Sequence, residues 1–444
     1  MNRSFHIVTF GCQMNKLDSE LLQAALQSRG FRPVADPEEA GVVLYNTCSV
    51  REHAEDKVFS HLGTYRPRAG EDPEFILGVV GCMAQRMGER LAERFPFVRL
   101  ICGTRSFLQV PDYLAHIEST GERVVALGEE PLEFERDPEL RPRGHHAYVS
   151  IMRGCNNYCA YCIVPHVRGR ETSRAPDEIV QEARALAEGG VVELTLLGQN
   201  VNSYGKGLEG EASLASLLVE LDGVPGLRRI RFITSHPRDM TEGIFRAVAE
   251  LEKVCEHVHM PAQSGSDPIL RRMNRHYDRA HYVDLIEMGR RLVPDLAFSS
   301  DFIVGFPGET DEDFAQTLSL AEEVRFQQSY IFRYSPRPGT KAAEMEDDVP
   351  EEVKRDRQQR LLSAQERIDT ERRADMVGQT VEVMCEAENK SHPEEGRWRG
   401  RTRENDIVIF SAADTRPGDV RRITVEDATA LTLFGGVAKR EAPD

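Results

Sequence analysis

Residues 153–170 read RGCNNYCAYCIVPHVRGR, and within them Cys155, Cys159 and Cys162 fall inside eight positions. They follow an apolar run, AYVSIM, that reads as a strand. Three soft thiols therefore sit on a loop at the carboxyl end of a strand, where partial and complete β/α barrels assemble their sites. Three thiolates on one short loop hold three corners of a [4Fe–4S] cube and leave the fourth iron open to a substrate. A structural zinc site wants four protein ligands in closed tetrahedral geometry. His166 offers a fourth, but C-x3-C-x2-C is not the paired C-x2-C spacing of zinc ribbons, and the loop is read as an iron–sulfur site.

Outward from this loop, VELTLLG, IRFITS, VHMPAQ, FSSDFIVG and QSYIFRYS are further strand-like runs alternating with helical patterns up to about residue 340. In APDEIVQEARALAEGG, Pro176 suits a first turn, Ile179, Ala183 and Leu186 share a face, and Gly189 caps the end. Six strand–helix units are too few for a closed eightfold barrel, so the expectation is an open, partial (β/α)6 barrel. Before it, FHIVTF, VVLYNT, FILGVV and VRLIC alternate with helical segments, an order that implies a mainly parallel α/β sheet. After it, VPEEVKRDRQQRLLSAQERIDTERRADMVG reads as a long charged connecting helix with thin apolar content, packed on one side. The segments VEVMCEA, RWRGRTR, DIVIF, RRITVEDA and ALTLFGGVA are short strands of a small β-barrel. The expected class is thus α/β, with domains at 1–125, 140–375 and 376–440, and EEPLEFERDPELRPRG as a linker between the first two.

The 444 residues are 40% hydrophobic and 29% charged, which fits an ordinary globular protein of several domains. MNRSFHIVTFGC carries neither an apolar span nor a signal-peptide pattern, so a cytoplasmic protein without a membrane partner is expected. In that compartment the nine cysteines are metal ligands, reactive groups or core residues rather than disulfides. A net charge of −17 argues against a protein that coats nucleic acid indiscriminately, while leaving room for a local basic patch.

FHIVTFGC, VVLYNTC and ILGVVGC each run an apolar strand into a cysteine, which places Cys12, Cys48 and Cys82 at the carboxyl edge of one sheet. VRLIC ends in Cys102 in the same way. Equivalent strand ends suggest a second three-cysteine cluster, and the pattern alone does not choose among the four. Cys255 and Cys385 lie in apolar runs and read as core. In RWRGRTR, Arg397, Arg399, Arg401 and Arg403 alternate with Trp398, Gly400 and Thr402, so a strand would put four guanidiniums on one face, suited to RNA phosphates and bases. The alternative is an edge strand protected by charge. Arg168, Arg170 and Arg174 add positive charge just beyond the cysteine loop, and His145 and His146 read as structural.

The cysteine spacing is that of the radical S-adenosylmethionine (SAM) enzymes. TFGCQMN, NTCSVRE and GVVGCMAQR, followed by RGCNNYCAYCIVPHVRGRE, resemble the radical SAM methylthiotransferases, and the likeness runs through all three regions. The resemblance implies that Cys155, Cys159 and Cys162 hold a catalytic [4Fe–4S] cluster whose open iron is chelated by SAM, which is then cleaved to a 5′-deoxyadenosyl radical. It implies a second, auxiliary [4Fe–4S] cluster on Cys12, Cys48 and Cys82, with Cys102 matching no ligand. Cofactor contacts carried over are Tyr161 inside the motif, Gly198, Gln199 and Asn200 where the family has GGE, and Gly305, Gly308 and Glu309 in IVGFPGET. A tight strand-to-helix turn would also account for the last two glycines.

LLGQNVNSYG, FITSHPRDM, HMPAQSGSD and SSDFIVGFPGET resemble the branch acting on N6-isopentenyladenosine beside the tRNA anticodon. The last region resembles the TRAM domain, an RNA-binding module. The implied reaction adds a methylthio group to C2 of that adenosine with two SAM per turnover. Implied partners are the tRNA, an electron donor such as a flavodoxin or ferredoxin, and a sulfur donor, for a monomeric enzyme. The alternatives are methylthiolation of threonylcarbamoyl-adenosine tRNA or of a ribosomal-protein aspartate, and a non-catalytic RNA-binding metal protein that would contain no iron.

Overall fold

The computed structural model describes residues 3–48, 52–128, 144–390 and 396–438. The expected linker lies almost wholly outside them. The chain divides into two compact units: residues 1–143, 148–156 and 162–172 form one, and 144–147, 157–161 and 173–444 the other.

The first unit is built on six strands, β1 (Ser4–Phe10), β2 (Arg32–Pro33), β3 (Val42–Thr47), β4 (Ile76–Gly81), β5 (Leu100–Cys102) and β6 (Val124–Ala126). All pairings are parallel, in the order β2-β1-β3-β4-β5-β6. Every residue of β3 and β4 is buried, as a parallel sheet covered on both faces requires. One apolar layer gathers Val43, Tyr45, Leu77, Val79 and Ile101, and the other Leu44, Ile76, Val80, Leu100 and Cys102. The short β2 and β6 did not stand out from the sequence, because two or three residues carry no period. The order of a doubly wound sheet reverses between β1 and β3, so their carboxyl ends flank the switch point where such sheets bind ligands. Register levels those ends: Phe10 pairs with Thr47, and Thr47 with Gly81.

The same unit contains a short ribbon, β8 (Met152–Arg153) against β9 (Thr172–Ser173), which β7 (His146–Ser150) precedes. In the second unit, β10 (Glu193–Leu197) and β11 (Arg229–Phe232) form a parallel sheet that also takes in β7, where His146 Nε2 meets Thr195 Oγ1 at 2.9 Å. β12 (His257–His259), β13 (Ala297–Val304) and β14 (Gln328–Arg333) form another, with a single bridge from Ile230 to Val254 between the two. The six expected strands are thus present as an open arc. The helix Pro176–Glu188 begins and ends where its signals place it. The helix Asp311–Val324 starts from a capping box between Thr310 and Asp313.

The chain ends in a closed barrel of β15 (Thr380–Glu388), β16 (Arg397–Arg401), β17 (Ile407–Ser411), β18 (Val420–Ala428) and β19 (Leu433–Val437), in the order β15-β16-β17-β19-β18. Val383, Cys385, Val408, Phe410, Ile423, Val425 and Leu433 fill it, with Trp398 packed against them. Guanidiniums tie it to the strand arc of its own unit. Arg229 donates to Arg401 O and Glu382 Oε1, both at 2.8 Å, and Arg231 to Arg403 O and Thr402 O at 2.8 and 2.7 Å.

Candidate active site

Cys12, Cys48 and Cys82 meet the end of the first unit's sheet in three related ways. Cys12 is the N-cap of the helix Gln13–Ser28, Cys48 follows β3, and Cys82 opens the helix Cys82–Met87. Gly11 and Gly81 adopt φ +149° and +100°, and a Cβ on Gly11 would stand 2.7 Å from Cys48 Cβ. A side chain at Gly11 would press on Cys48, and one at Gly81 would run into Asn46 and the Thr47 backbone just before Cys48. A polar floor supports them: Cys12 Sγ donates to Asn15 Oδ1 at 3.2 Å, Asn15 Nδ2 to Asn46 Oδ1 at 3.0 Å, and Asn46 Nδ2 to Asn15 O at 2.8 Å.

A hydrogen bond with Cys48 holds the Cys12 thiol down to about 6 against the opposing effect of burial, with the charge of Arg168 assisting. Burial pushes Cys82 up, and Arg168 again opposes it. The source of that charge was not visible in the sequence. Asp18, with none of its surface exposed, accepts from Arg153 Nη2 at 3.0 Å and from Arg168 Nη2 at 2.7 Å. Two buried guanidiniums share one carboxylate, so one positive charge remains beside the thiols. Arg168 Nη1 is buried without a hydrogen-bond partner. This corrects the reading of Arg168 as an RNA contact: it is 6% exposed and faces the cysteines. Arg174 is corrected too, being buried in an ion pair with Glu182 at 2.7 Å, whereas Arg170 is exposed.

No three His, Cys, Asp or Glu side chains among the described residues close on a point as a single metal ion demands. A four-iron cube spaces its thiolates more widely than one ion does. Thiols on three separate strand ends with excess positive charge beneath suit that larger, anionic group. Cys102 is different: it lies wholly inside the apolar layer and burial pushes it far up, so it is a core residue. Cys255 and Cys385 are buried as expected, and burial raises Cys385 to about 12.

By unit, Cys155 and Cys162 belong to the first and Cys159 to the second. In the first, Cys155 N donates to Gly169 O at 3.2 Å, and a Cβ on Gly154, at φ +76°, would run into the Arg170 carbonyl. The arms RGC and RGR thus close on each other. The short helix Val164–Arg168 leads away from Cys162, and Ile163 and Val167 pack against Cys82. His166 is exposed.

In the second unit, Ala160 N donates to Met273 O at 2.9 Å, and Asn274 Nδ2 to Tyr158 O at 2.9 Å. Tyr161 stands edge-on to Phe306, their centroids 6.5 Å apart. Arg275, in MNRHYD, donates through Nη1 to Cys159 Sγ and to Tyr161 Oη, both at 3.3 Å. No spacing rule marks Arg275 in the sequence.

Gly198 and Asn200 are buried after β10, with Gln199 half-buried between them. Asn200 Nδ2 donates to Asp239 Oδ2 at 2.7 Å, and its Oδ1 is buried without a partner. Ser235 Oγ and His236 Nε2, after β11, are also buried and unpartnered. His236 Nδ1 accepts from Arg238 N at 3.2 Å, and burial drives the imidazole far below its ordinary value. The ring is therefore neutral with its proton on Nε2, a donor waiting for an acceptor. In IVGFPGET, Glu309 Oε2 accepts from Gly305 N at 2.7 Å and from Arg357 Nη1 at 2.8 Å. Gly308 sits against Arg272 and Gly305 against Lys354. This segment is a braced strand-to-helix turn with one carboxylate oxygen, Oε1, buried and unpartnered.

The arginine strand differs from expectation. Arg403 lies beyond β16 and chelates Glu256 through Nε and Nη2 at 2.6 and 2.8 Å, fixing the barrel to the strand arc. Arg399 and Arg401 both reach Glu386, at 3.3 and 2.8 Å. The strand is an ion-paired ladder in which Arg399 remains half exposed, because acids on β15 and at the edge of the arc meet the charges that alternation alone leaves facing solvent.

Three family models match the chain: an uncharacterized protein family, UPF0004, over residues 4–103, the radical SAM superfamily over 149–321, and the TRAM domain over 374–438. The chain is 46% identical to the tRNA-2-methylthio-N(6)-dimethylallyladenosine synthase of Pelotomaculum thermopropionicum, covering 98% of this chain and 97% of that one. It is 43% identical to the synthase of the same name from Moorella thermoacetica, over 98% of both. Among solved structures it resembles the radical S-adenosylmethionine methyltransferase TsrM from Kitasatospora setae, with a TM-score of 0.56 over 77% of this chain and 74% of that one, at 16% identity. That last likeness speaks to the fold. The chain belongs to the family of tRNA-2-methylthio-N(6)-dimethylallyladenosine synthases, radical SAM methylthiotransferases.

Proposed function

We propose that this enzyme replaces the C2 hydrogen of N6-isopentenyladenosine in tRNA by a methylthio group, using SAM and two [4Fe–4S] clusters. Full-length identity of 43–46% to synthases of that name carries the reading. When bound, a cluster with one open iron supplies the electron and the site at which SAM is held and cleaved. Cys155, Cys159 and Cys162 are the proposed ligands of that cluster, and Cys12, Cys48 and Cys82 those of the second.

The remaining work falls to side chains. Tyr161, buttressed by Phe306, shields the cysteine loop from water. Gln199, Asn200 and the turn Gly305–Glu309 are the proposed SAM contacts, a reading supported by the unpartnered Asn200 Oδ1 and Glu309 Oε1, and Nε2–H of His236 is proposed as a donor to SAM or the base. A tRNA loop adenosine can be splayed from its neighbours into such a site, which a duplex base cannot. Tyr330 and Phe332, 43% and 42% exposed, present aromatic rings on one face of β14 suited to stacking on bases. The barrel contributes RNA affinity through exposed charge such as Arg399. Among the described residues no helix is long and apolar enough to cross a membrane. An electron donor of flavodoxin or ferredoxin type, a sulfur donor, a cytoplasmic setting and a monomeric state complete the proposal.

The test is mass spectrometry of nucleosides from isopentenylated tRNA incubated with reduced, anaerobically reconstituted enzyme and SAM. The expected product is the isopentenyladenosine with methylthio in place of hydrogen. Product on threonylcarbamoyl-adenosine or a ribosomal-protein peptide instead would overturn the reading.

A further inference from the structure

Arg275 is an unusual guanidinium in this unit. It is 4% exposed, yet no carboxylate among the described residues lies within ion-pair distance of it. Its partners are Cys159 Sγ and Tyr161 Oη from Nη1, both at 3.3 Å, Tyr277 Oη from Nε at 3.0 Å, and Pro261 O from Nη2 at 3.0 Å. A charge removed from water is costly unless an opposite charge answers it. The one group here that becomes anionic on binding iron is the Cys159 thiolate.

The backbone fixes this contact. Asn274 and His276, on either side, both adopt left-handed conformations, φ 58° and 56°, which non-glycine residues seldom occupy. That geometry lets three successive residues, Met273, Asn274 and Arg275, grip Asn157–Tyr161: the first through its carbonyl, the second through its amide, the third through its guanidinium. Hydrogen bonds to ligand sulfurs and nearby positive charge both favour the reduced, more negative cluster.

We infer that Arg275 is a positioning residue that serves as counter-charge to the Cys159 thiolate, raises the reduction potential of the cluster on that loop, and holds Tyr161 beside it. This rests on the proposed radical SAM site. Arg275 is the lever that brings that cluster within reach of a biological electron donor, while the chemistry stays with the cofactor.

The experiment uses the full chain with Cys12, Cys48 and Cys82 all replaced by alanine, so that one cluster is read, reconstituted anaerobically. Iron content and a potentiometric titration followed by electron paramagnetic resonance are measured for this parent and for its Arg275→Met, Arg275→Lys and Tyr277→Phe derivatives. The expected result is a midpoint shifted to more negative potential in Arg275→Met, a smaller shift in Arg275→Lys, and little shift in Tyr277→Phe, which keeps the bond to Cys159. If Arg275→Met fails to hold iron, retention by Arg275→Lys supports the counter-charge role, and loss in both overturns it. An unchanged midpoint in Arg275→Met overturns it as well. A parent without iron would instead refute the radical site itself, and the role of Arg275 with it.

Discussion

Asp18 shows how much of this site hangs on single buried charges. It is wholly buried and is the carboxylate that both Arg153 and Arg168 bond. Asp18→Asn strands two guanidiniums and should cost about 3–5 kcal/mol, visible as a lowered thermal transition with loss of iron from the Cys12, Cys48 and Cys82 site. Glu309 offers a pH test. Burial, outweighing the bonds from Gly305 and Arg357, raises its carboxyl from an ordinary 4.5 to about 7. The folded state then binds this proton more tightly than the unfolded one, so stability should fall as pH rises through that window. Glu309→Gln should flatten the dependence of the melting temperature on pH across it. The cysteines were legible because a strand running into a thiol is a local pattern. Asp18 and Arg153 were not, being 135 residues apart, and Arg275 reaches Cys159 across 116.

At the level of elements, the apolar pattern identified all six strands of the arc and all five of the barrel, whereas the partners of charged side chains were not legible wherever they came from elsewhere in the chain. The helix Glu351–Ala374 is packed on one side as expected, burying Lys354, Arg357, Leu361, Ala364, Gln365 and Ile368 on one face, but its partners lie elsewhere in the chain: Lys354 bonds Asp347, Arg357 bonds Glu309 and Asp311, and Gln365 bonds Phe326 O. In the RWRGRTR segment the arginines divide by task. Arg403→Met should lower barrel stability and leave the salt dependence of tRNA binding unchanged, because its charge is spent on Glu256. Arg399→Met should flatten the slope of log affinity against log salt by up to about 0.7–0.9 for one lost phosphate contact. Trp398→Ala should destabilise the barrel by up to about 3 kcal/mol with little effect on that slope, since the ring packs on the core. Salt titrations of tRNA binding beside thermal scans separate these outcomes.

For the whole molecule, the proposal is that two three-cysteine sites serve one reaction on a tRNA base, with a small barrel adding affinity. The two proposed four-iron clusters would give about eight irons per chain, and replacing Cys155, Cys159 and Cys162 together by alanine should then leave about half. The division of labour is tested most directly in the variant with Cys12, Cys48 and Cys82 replaced by alanine, given SAM, reductant and isopentenylated tRNA, with 5′-deoxyadenosine and methylthiolated nucleoside quantified from the same reaction. The account predicts that 5′-deoxyadenosine still forms while the methylthio product disappears; methylthiolation at the parent's level would contradict it.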